Sequence, residues 1–424
     1  MAASLRRAVT TWVLMGVLGA GCDGYVEGGP KPLPAPSDGP PTQAPVDAGS
    51  EPPVGGPDGG ADGGTDAGPH MLFVAVGYAG RTTVSCDDGR SWTADRSDMP
   101  DLRCSGPLPD GGSMDCDHDP GAGRGLAAGD GWFVANFGWG APGTIRRSRD
   151  GVTWEHVVVR DDPTFAAMVY GRGHFLAASG SPWVSADAGT GWRPAGDPKL
   201  DGWAVRRGGF GAGVFVLYGD QPPPMPPAPY QRYNWAVSAD QGATWFNPVL
   251  PSDCAADQWS GGIVGNDQVV VMLGEPVPGE GVACRSLDRG RNWTRAEVGG
   301  SVSSQLLWTG TEFMAWGEDA QSRPAVFRSA NGATWSATPL QLRTPQADGG
   351  VSVSAGPRVG AVARGASGTF VAVNGGWGGW YEHQVFLRST DGVTWEALPP
   401  QRYTRGHPIN FIVSGPGLPS SACP

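Results

Sequence analysis

Short, largely apolar runs recur along the chain from residue 70 onward. Polar or glycine-rich segments separate the runs. The centre of each run is apolar on both faces. Runs of this kind are typical of β-strands packed between neighbouring sheets. They occupy residues 72–76, 132–135, 174–178, 214–217, 268–272, 312–316 and 369–373. The pattern predicts a buried strand at each run.

A shorter apolar stretch precedes every run except the first. These stretches lie at residues 125–128, 165–169, 203–205, 261–264, 305–308 and 359–362. One more, at 408–413, stands near the C-terminus with no run after it. The offset predicts that this last strand pairs with the first run, so that the two ends of the chain close one sheet.

A polar motif of the form Ser-x-Asp-Gly or Ser-x-Asp-x-Gly, ending in Trp, follows each run. Its acidic or amide positions are Asp87, Asp150, Asp187, Asp240, Asp288, Asn331 and Asp391. An Asp side chain can accept backbone N–H bonds from the turn that follows it. Glycine tolerates a positive φ, and Trp buries a large apolar surface. The motif predicts seven hairpin turns with a structural role.

The seven motifs resemble the Asp-box, or bacterial neuraminidase repeat, and the resemblance covers nearly all of residues 70–424. It implies an all-β fold, a seven-bladed β-propeller with four-stranded blades, closed by the C-terminal strand pairing into the first blade. Proteins with this repeat include sialidases, other glycoside hydrolases, receptors and assembly factors, so the fold leaves the function open.

Composition and charge narrow the function classes. Glycine and proline are abundant (69 and 40 residues), which disfavours helical bundles, while 18 tryptophans disfavour a disordered chain. A net charge of −11 disfavours nucleic acid as a partner. We expect a monomer.

The N-terminus predicts export. Residues 1–22 have a basic start, an apolar core too short to span a bilayer, and an end at Cys22 that resembles a bacterial lipobox. Gly19 stands where a Leu-like residue is usual. We expect a lipid on Cys22 that anchors the protein in the bacterial cell envelope. The sequence leaves open which membrane, and which face of it, holds the anchor. Ordinary secretion is the alternative. Residues 23–69, rich in Pro, Gly and Asp, predict a solvated tether, and residues 70–424 the propeller.

Six cysteines remain if Cys22 is lipidated, and an even number in an exported protein suggests disulfides. They are Cys86, Cys104, Cys116, Cys254, Cys284 and Cys423. Sequence order alone allows 15 pairings. The propeller topology implied by the resemblance suggests Cys86–Cys423, Cys104–Cys116 and Cys254–Cys284.

Ligand-binding residues are expected on the face opposite the motif turns. Arg124, Arg358 and Arg405 stand near the starts of first strands in adjacent blades, and sialidases bind a sugar carboxylate with three arginines. Solvated loop arginines are the alternative. Exposed aromatic residues stack on sugars or anchor proteins, although packing of loop against loop is equally compatible. The aromatic candidates are Trp139, Trp235, Trp377, Trp380 and Tyr381.

Catalysis and metal binding have weaker signals. Asp115, Asp117 and Asp119 alternate in a way that can suit calcium, yet the other ligands of a calcium loop are absent, and no other cofactor is indicated. No catalytic residue is assigned. We expect a non-catalytic binding or assembly module for a glycan, an envelope polymer or an envelope protein. The alternative is a divergent sialidase-like glycoside hydrolase using loop carboxylates, for which Asp201, Asp257, Glu275, Glu318 and Glu382 are available.

Overall fold

The chain folds into β-strands joined by turns, as the computed structural model shows. The described residues are 70–93, 96–97, 123–138, 143–160, 165–178, 182–195, 197, 200, 203–220, 233–251, 254, 262–346, 350–374, 385–399, 408–418 and 423. All belong to one compact unit, residues 65–424. The all-β prediction is confirmed.

Twenty-nine strands and one 3-10 helix make up the regular structure of these residues. The first strands are β1 (His70–Gly77), β2 (Thr82–Ser85), β3 (Gly123–Gly129), β4 (Trp132–Phe137), β5 (Gly143–Ser148), β6 (Glu155–Arg160), β7 (Ala167–Gly171), β8 (His174–Ala178), β9 (Trp183–Ser185), β10 (Arg193–Pro194), β11 (Ala204–Gly211), β12 (Val214–Asp220) and β13 (Tyr233–Ser238). The 3-10 helix, Tyr78–Gly80, follows β1.

The second half of the chain adds sixteen strands. They are β14 (Gly262–Gly265), β15 (Val270–Val277), β16 (Glu280–Ser286), β17 (Thr294–Glu297), β18 (Gly300–Val302), β19 (Leu307–Trp308), β20 (Phe313–Asp319), β21 (Pro324–Ser329), β22 (Ser336–Pro339), β23 (Gln341–Pro345), β24 (Val351–Ala355), β25 (Val359–Arg364), β26 (Phe370–Asn374), β27 (Phe386–Ser389), β28 (Thr394–Ala397) and β29 (Ile409–Gly417).

The strands form six hydrogen-bonded sheets. Their orders are β2-β1-β29; β3-β4-β5-β6; β10-β9-β8-β7; β13-β12-β11-β14-β15-β16-β17; β18-β20-β21-β22, with β19 also paired to β20; and β24-β23-β28-β27-β26-β25. Each apolar run found in the sequence coincides with a buried strand: β1, β4, β8, β12, β15, β20 or β26.

The C-terminal strand closes the first sheet. β29 pairs antiparallel with β1, from His70 opposite Gly417 to Val76 opposite Phe411. The pairing joins residues more than three hundred positions apart, as the offset of the apolar stretches predicts. A glycine is required where the strands meet, since a Cβ on Gly77 would lie 1.9 Å from the Pro408 carbonyl oxygen.

Neighbouring sheets contact one another in a closed circuit. Along it, β29 contacts β3, β3 contacts β7, β7 contacts β11, and β11 contacts β14. The circuit continues from β14 to β19, from β20 to β25, and from β25 back to β29. The core lies in layers between facing sheets; Val74 of β1, for example, packs with Phe133 of β4. Sheets arranged radially around a shared axis form a β-propeller.

Two features depart from the simple repeat. β23 and β24 form a hairpin that pairs in parallel with β28, and every residue of β24 is exposed. The alternation of Val and Ser in β24 lacks a buried face, so the search for apolar runs does not find it. A single parallel pair, Phe210 opposite Val264, merges two sheets into the seven-stranded one.

Disulfides join distant parts of the fold. One bond links Cys86, beside the first motif turn, to Cys423 near the C-terminus. The other links Cys254 to Cys284 of β16. Both join cysteines that the topological hypothesis pairs; Cys104 and Cys116 lie outside the described residues. In the described part of the chain, no helix has the length and hydrophobicity needed to cross a membrane.

Candidate functional site

The seven motif turns share one pattern of hydrogen bonds among the serine, the acidic or amide residue and the glycine, clearest around Asp288. Five of them add a bond from the Trp indole to the glycine carbonyl; Trp92 and Trp395 do not make it. The Asp288 Oδ1 accepts from the Ser286 hydroxyl at 2.8 Å and from the Asn292 backbone N–H at 2.9 Å. The Ser286 Oγ in turn accepts the Gly290 N–H at 2.9 Å, and the Trp293 indole donates to the Gly290 carbonyl at 3.0 Å. Serine therefore holds the glycine while Asp holds the rest of the loop, a division of roles that the sequence alone does not show.

Each motif glycine also packs directly on the preceding sheet. All seven have a positive φ, between 71° and 82°. A Cβ added to Gly290 would lie 2.7 Å from the Val237 side chain, and one added to Gly151 would lie 2.6 Å from Val74. The same holds for Gly89 on Val371, Gly189 on Val134, Gly242 on Val184, Gly332 on Val271 and Gly392 on Met314. Glycine is needed twice, for its backbone conformation and for close sheet packing.

The residue before each motif serine is either arginine or valine, and both reach the next turn. Arg285 donates to the Asn331 carbonyl at 3.0 Å, and Arg388 donates to the Asp88 carbonyl at 2.9 Å. Arg328 donates in the same way to the Asp391 carbonyl, whereas Arg147 donates to the Thr190 hydroxyl. The remaining positions are Val84, Val184 and Val237, which pack on the glycines of the next turns. The turns thus join adjacent sheets.

Hydrogen bonding keeps the motif carboxyl groups ionised. Burial raises the pKa of Asp288, but bonds from the Asn292 backbone and amide, Ser286 and the Arg291 backbone outweigh it and lower the pKa to about 2. The pKa is also lowered for Asp87, Asp150, Asp187, Asp240 and Asp391. For Asp187 the Ser185 hydroxyl is the largest cause. These carboxylates are committed to turn structure.

The first and last sheets meet at Asp88. Its carboxylate accepts from the Ser367 and Thr369 hydroxyls at 2.6 Å each and pairs with the Arg388 guanidinium at 2.9 Å. Burial opposes ionisation of Asp88, yet these hydroxyl and guanidinium bonds lower its pKa. Asp88 therefore adds a polar closure between sheets that are distant in sequence.

The arginines expected to bind an anion differ from one another in environment. Arg124 is buried, at 7% exposure. Arg358 is exposed but lies 2.7 Å from the Glu318 carboxylate, which already neutralises its charge. Arg405 lies outside the described residues, so the three side chains are not brought together as one site here.

One aromatic expectation is wrong. Trp235 is 1% exposed and packs edge-on against Trp293, with ring centroids 4.8 Å apart. It belongs to β13, where alternation directs its indole into the layer between sheets rather than toward a ligand. Trp139, Trp377, Trp380 and Tyr381 lie outside the described residues. So do Cys22 and the calcium candidates Asp115, Asp117 and Asp119; elsewhere, among described side chains, no cluster has the composition of a metal site.

A cavity of about 470 Å³ lies where the first strands of the sheets converge. Each of these strands contributes to its wall: Leu126 of β3, Met168 of β7, Arg207 of β11, Ile263 of β14, Leu307 of β19, Val362 of β25 and Ile412 of β29. Arg207 and Arg364 are the charged residues of the lining, and none of its described residues is acidic. We call this space the axial cavity.

The motif pattern does not predict the axial cavity, because the cavity requires all the sheets at once. A local signal was present in the sequence: the segment 204–211 carries two arginines inside an otherwise small and apolar strand. Charged residues at neighbouring positions of a strand that is paired on both sides are unusual, and here the pairing register shifts between Val205 and Arg207. Such a bulge redirects side chains from one face of a strand to the other.

No protein-family model matches the chain, and no curated protein matches it. Among solved structures it is similar to apo AztD from Citrobacter koseri (9% identity, 84% of this chain and 100% of that chain, TM-score 0.48). It is also similar to TolB from Acinetobacter baumannii (10%, 64% and 62%, TM-score 0.39) and to the GH74 xyloglucanase from Xanthomonas campestris (15%, 80% and 65%, TM-score 0.35). Every TM-score is below 0.5, so we base neither fold nor function on them.

Proposed function

We propose that this protein is an exported binding module of the bacterial cell envelope, and that its ligand is a glycan or another envelope polymer. The observation that carries this proposal is the closed circuit of sheets around an axial cavity of about 470 Å³. Concave sites walled by a rigid scaffold are the usual places where propellers and other folds hold ligands.

The proposed architecture is a ring of seven four-stranded blades. Seven motif turns with matching hydrogen bonds support it, because each turn packs on the sheet before it. The sheets β3-β4-β5-β6 and β10-β9-β8-β7 have four strands each. In the sheet of β29, β1 and β2, an isolated bridge between Thr82 and Arg96 marks the place of the fourth strand.

Export and anchoring form the second part of the proposal. Two disulfides suit an oxidising compartment outside the cytoplasm. We propose that Cys22 carries the lipid and that residues 23–69 separate the anchor from the propeller. Intact mass measurement of envelope-derived protein tests the anchor: the expected result is a chain beginning at Cys22 with added acyl groups, and an unmodified mass contradicts it.

The state of the described carboxylates supports binding rather than hydrolysis. Two of the acidic residues considered for hydrolysis are already engaged: Glu318 pairs with Arg358, and Glu275 accepts the Val302 backbone N–H at 2.5 Å. A glycoside hydrolase needs two carboxyl groups free to face the scissile bond. The hydrolase alternative then depends on loop carboxylates outside the described residues, Asp201, Asp257 and Glu382.

An array of sialylated, plant and bacterial-envelope glycans tests the proposal. The full chain, purified from the envelope in a non-ionic detergent, is applied, and retention and released sugar are read from the same wells. Retention without release is the expected result. Release of sugar would overturn the proposed binding function and support the hydrolase alternative. If neither retention nor release is observed, that result would contradict the glycan ligand, and pull-downs from the envelope would then look for a protein partner.

A further inference from the structure

The axial cavity contains two arginines, Arg207 and Arg364, and neither forms an ion pair with an acidic side chain in the described part of the chain. The Arg207 guanidinium has a single hydrogen bond there, from Nη1 to the carbonyl of Arg206 at 3.0 Å. The side chain is exposed and lines the cavity. An arginine has four further N–H donors, which can bond to acceptors.

Several other polar groups of the wall have partners in the protein. Arg364 donates to the Thr309 carbonyl at 2.8 Å. The Asn410 amide donates to the Gly123 carbonyl at 3.2 Å, and the Ser304 hydroxyl accepts the Trp316 backbone N–H at 2.8 Å. These bonds stabilise the wall itself. The Arg364 guanidinium also lies over the Phe370 ring, 5.6 Å from its centroid, so Arg207 is the less engaged of the two charged groups.

The two arginines of the lining lie at different depths. Phe215 and Phe370 each pair with the motif serine of their own sheet. The two phenylalanines therefore lie at equivalent positions along their strands and give a common reference for the two arginines. Arg364 pairs with Phe370, whereas Arg207 pairs with Tyr218, three residues further along the strand. Three residues of strand span roughly 10 Å, so one small anionic group does not reach both.

The electrostatics of Arg207 favour an anion. Burial is the largest cause that lowers its pKa, the adjacent Arg206 adds to it, and Tyr218 opposes it. Both main causes make the positive charge costly, and a bound anion would offset that cost. The rest of the wall, including Leu126, Met168 and Ile263, is apolar.

We propose that the axial cavity binds a small organic anion, a carboxylate or phosphate ester with an apolar body, and that Arg207 pairs with its charged end. A guanidinium matches both oxyanions through two parallel N–H bonds, and the apolar wall suits the body of the ligand. This inference concerns the same cavity that supports the proposed binding function, and it assigns a second class of ligand to that cavity.

Calorimetric titration of the full chain in non-ionic detergent tests the site, with benzoate, phenyl phosphate and neutral benzamide as probes. Both anions are expected to bind saturably and at least about tenfold more tightly than benzamide, because a charged hydrogen bond is lost with the neutral probe. The tighter of the two anions identifies the oxyanion class. Benzamide binding as tightly as benzoate, or no binding of either anion to folded protein, would overturn the proposal.

Variants of the two arginines separate a binding role from a structural one. Arg207→Met is expected to weaken both anions at least about tenfold. Arg207→Lys should lose less affinity than Arg207→Met, because lysine keeps the charge but not the two parallel N–H bonds. Arg364→Met, the matched control in the same cavity, is expected to change affinity by less than about threefold because Arg364 lies roughly 10 Å from the level of Arg207. Equal losses in Arg364→Met and Arg207→Met would contradict the assignment to Arg207. Melting temperatures check that each variant folds, and glycan retention measured on the same preparations separates failure of this site from failure of the polymer-binding function.

Discussion

At the scale of single residues, the motif aspartates act as fixed anions within turns. Asp288 accepts four hydrogen bonds, and the shortest, from the Asn292 amide, is 2.6 Å. The sixth turn offers a natural comparison, since Asn331 accepts the Ala333 and Thr334 backbone N–H groups at 2.8 Å and 3.0 Å. An amide oxygen therefore supports the same turn geometry. The negative charge of the Asp288 carboxylate contributes stability in addition to that geometry.

This comparison predicts opposite effects of exchanging the two side chains. Asp288→Asn should lower the free energy of unfolding by about 1 kcal/mol at pH 7, because a charge-assisted bond is stronger than a neutral one and the site is partly exposed. Asn331→Asp should raise it by a similar amount. Urea unfolding at several pH values measures both changes.

The pH dependence follows from the lowered pKa of Asp288. An ionised carboxylate is favoured in the folded state, so its contribution is complete above the usual pKa of 3.8 and is lost as pH falls toward about 2. The difference between the native protein and Asp288→Asn should therefore shrink between pH 4 and pH 2. A difference that stays constant over this range would show that charge is not its cause.

At the scale of structural elements, the turns connect sheets as well as strands. Asp88 is the strongest case, because it contacts Ser367, Thr369 and Arg388 of the sheet at the other end of the chain. Its backbone has a φ of 62°, and Gln241 holds the same place in another turn with a φ of 57°. The two positions share a conformation and differ in their side-chain contacts.

Replacing both residues by asparagine isolates those contacts. Asp88→Asn should cost about 2 kcal/mol of unfolding free energy, because the largely buried Arg388 loses its counter-ion. Gln241→Asn should change it by less than about 0.5 kcal/mol, since asparagine tolerates a positive φ and no closure bond is lost. Urea denaturation measures both, and equal effects would assign the cost to the turn backbone instead.

The elements that the sequence predicts are those with local causes. The side chains of the run at 214–217 are all apolar and all buried. Asp288 and Gly290 define a turn within a few residues. The β23–β24 hairpin is not predicted, because its exposed Val and Ser residues lack a buried face. The position of Arg207 is not predicted either, because it depends on a bulge and on sheets that are distant in sequence.

At the scale of the whole molecule, two devices close the circuit of sheets. The hydrogen bonds between β29 and β1 form one, and the Cys86–Cys423 disulfide forms the other. The second disulfide, Cys254–Cys284, lies within a short stretch of chain and does not cross the closure. The chain thus contains a closure disulfide and a local one for comparison.

Removing each disulfide as a pair of alanines should separate their roles. The closure bond spans 337 residues and the local bond 30, so the chain-entropy model expects the closure pair to cost about 2 kcal/mol more. Without the closure bond, β29 is held by its pairing with β1 and by packing on β3 and β25, and its amides should exchange with solvent faster than those of central strands such as β15. Urea unfolding combined with hydrogen exchange measures both effects. If Cys86→Ala/Cys423→Ala leaves β29 as protected as Cys254→Ala/Cys284→Ala does, sheet packing alone closes the ring.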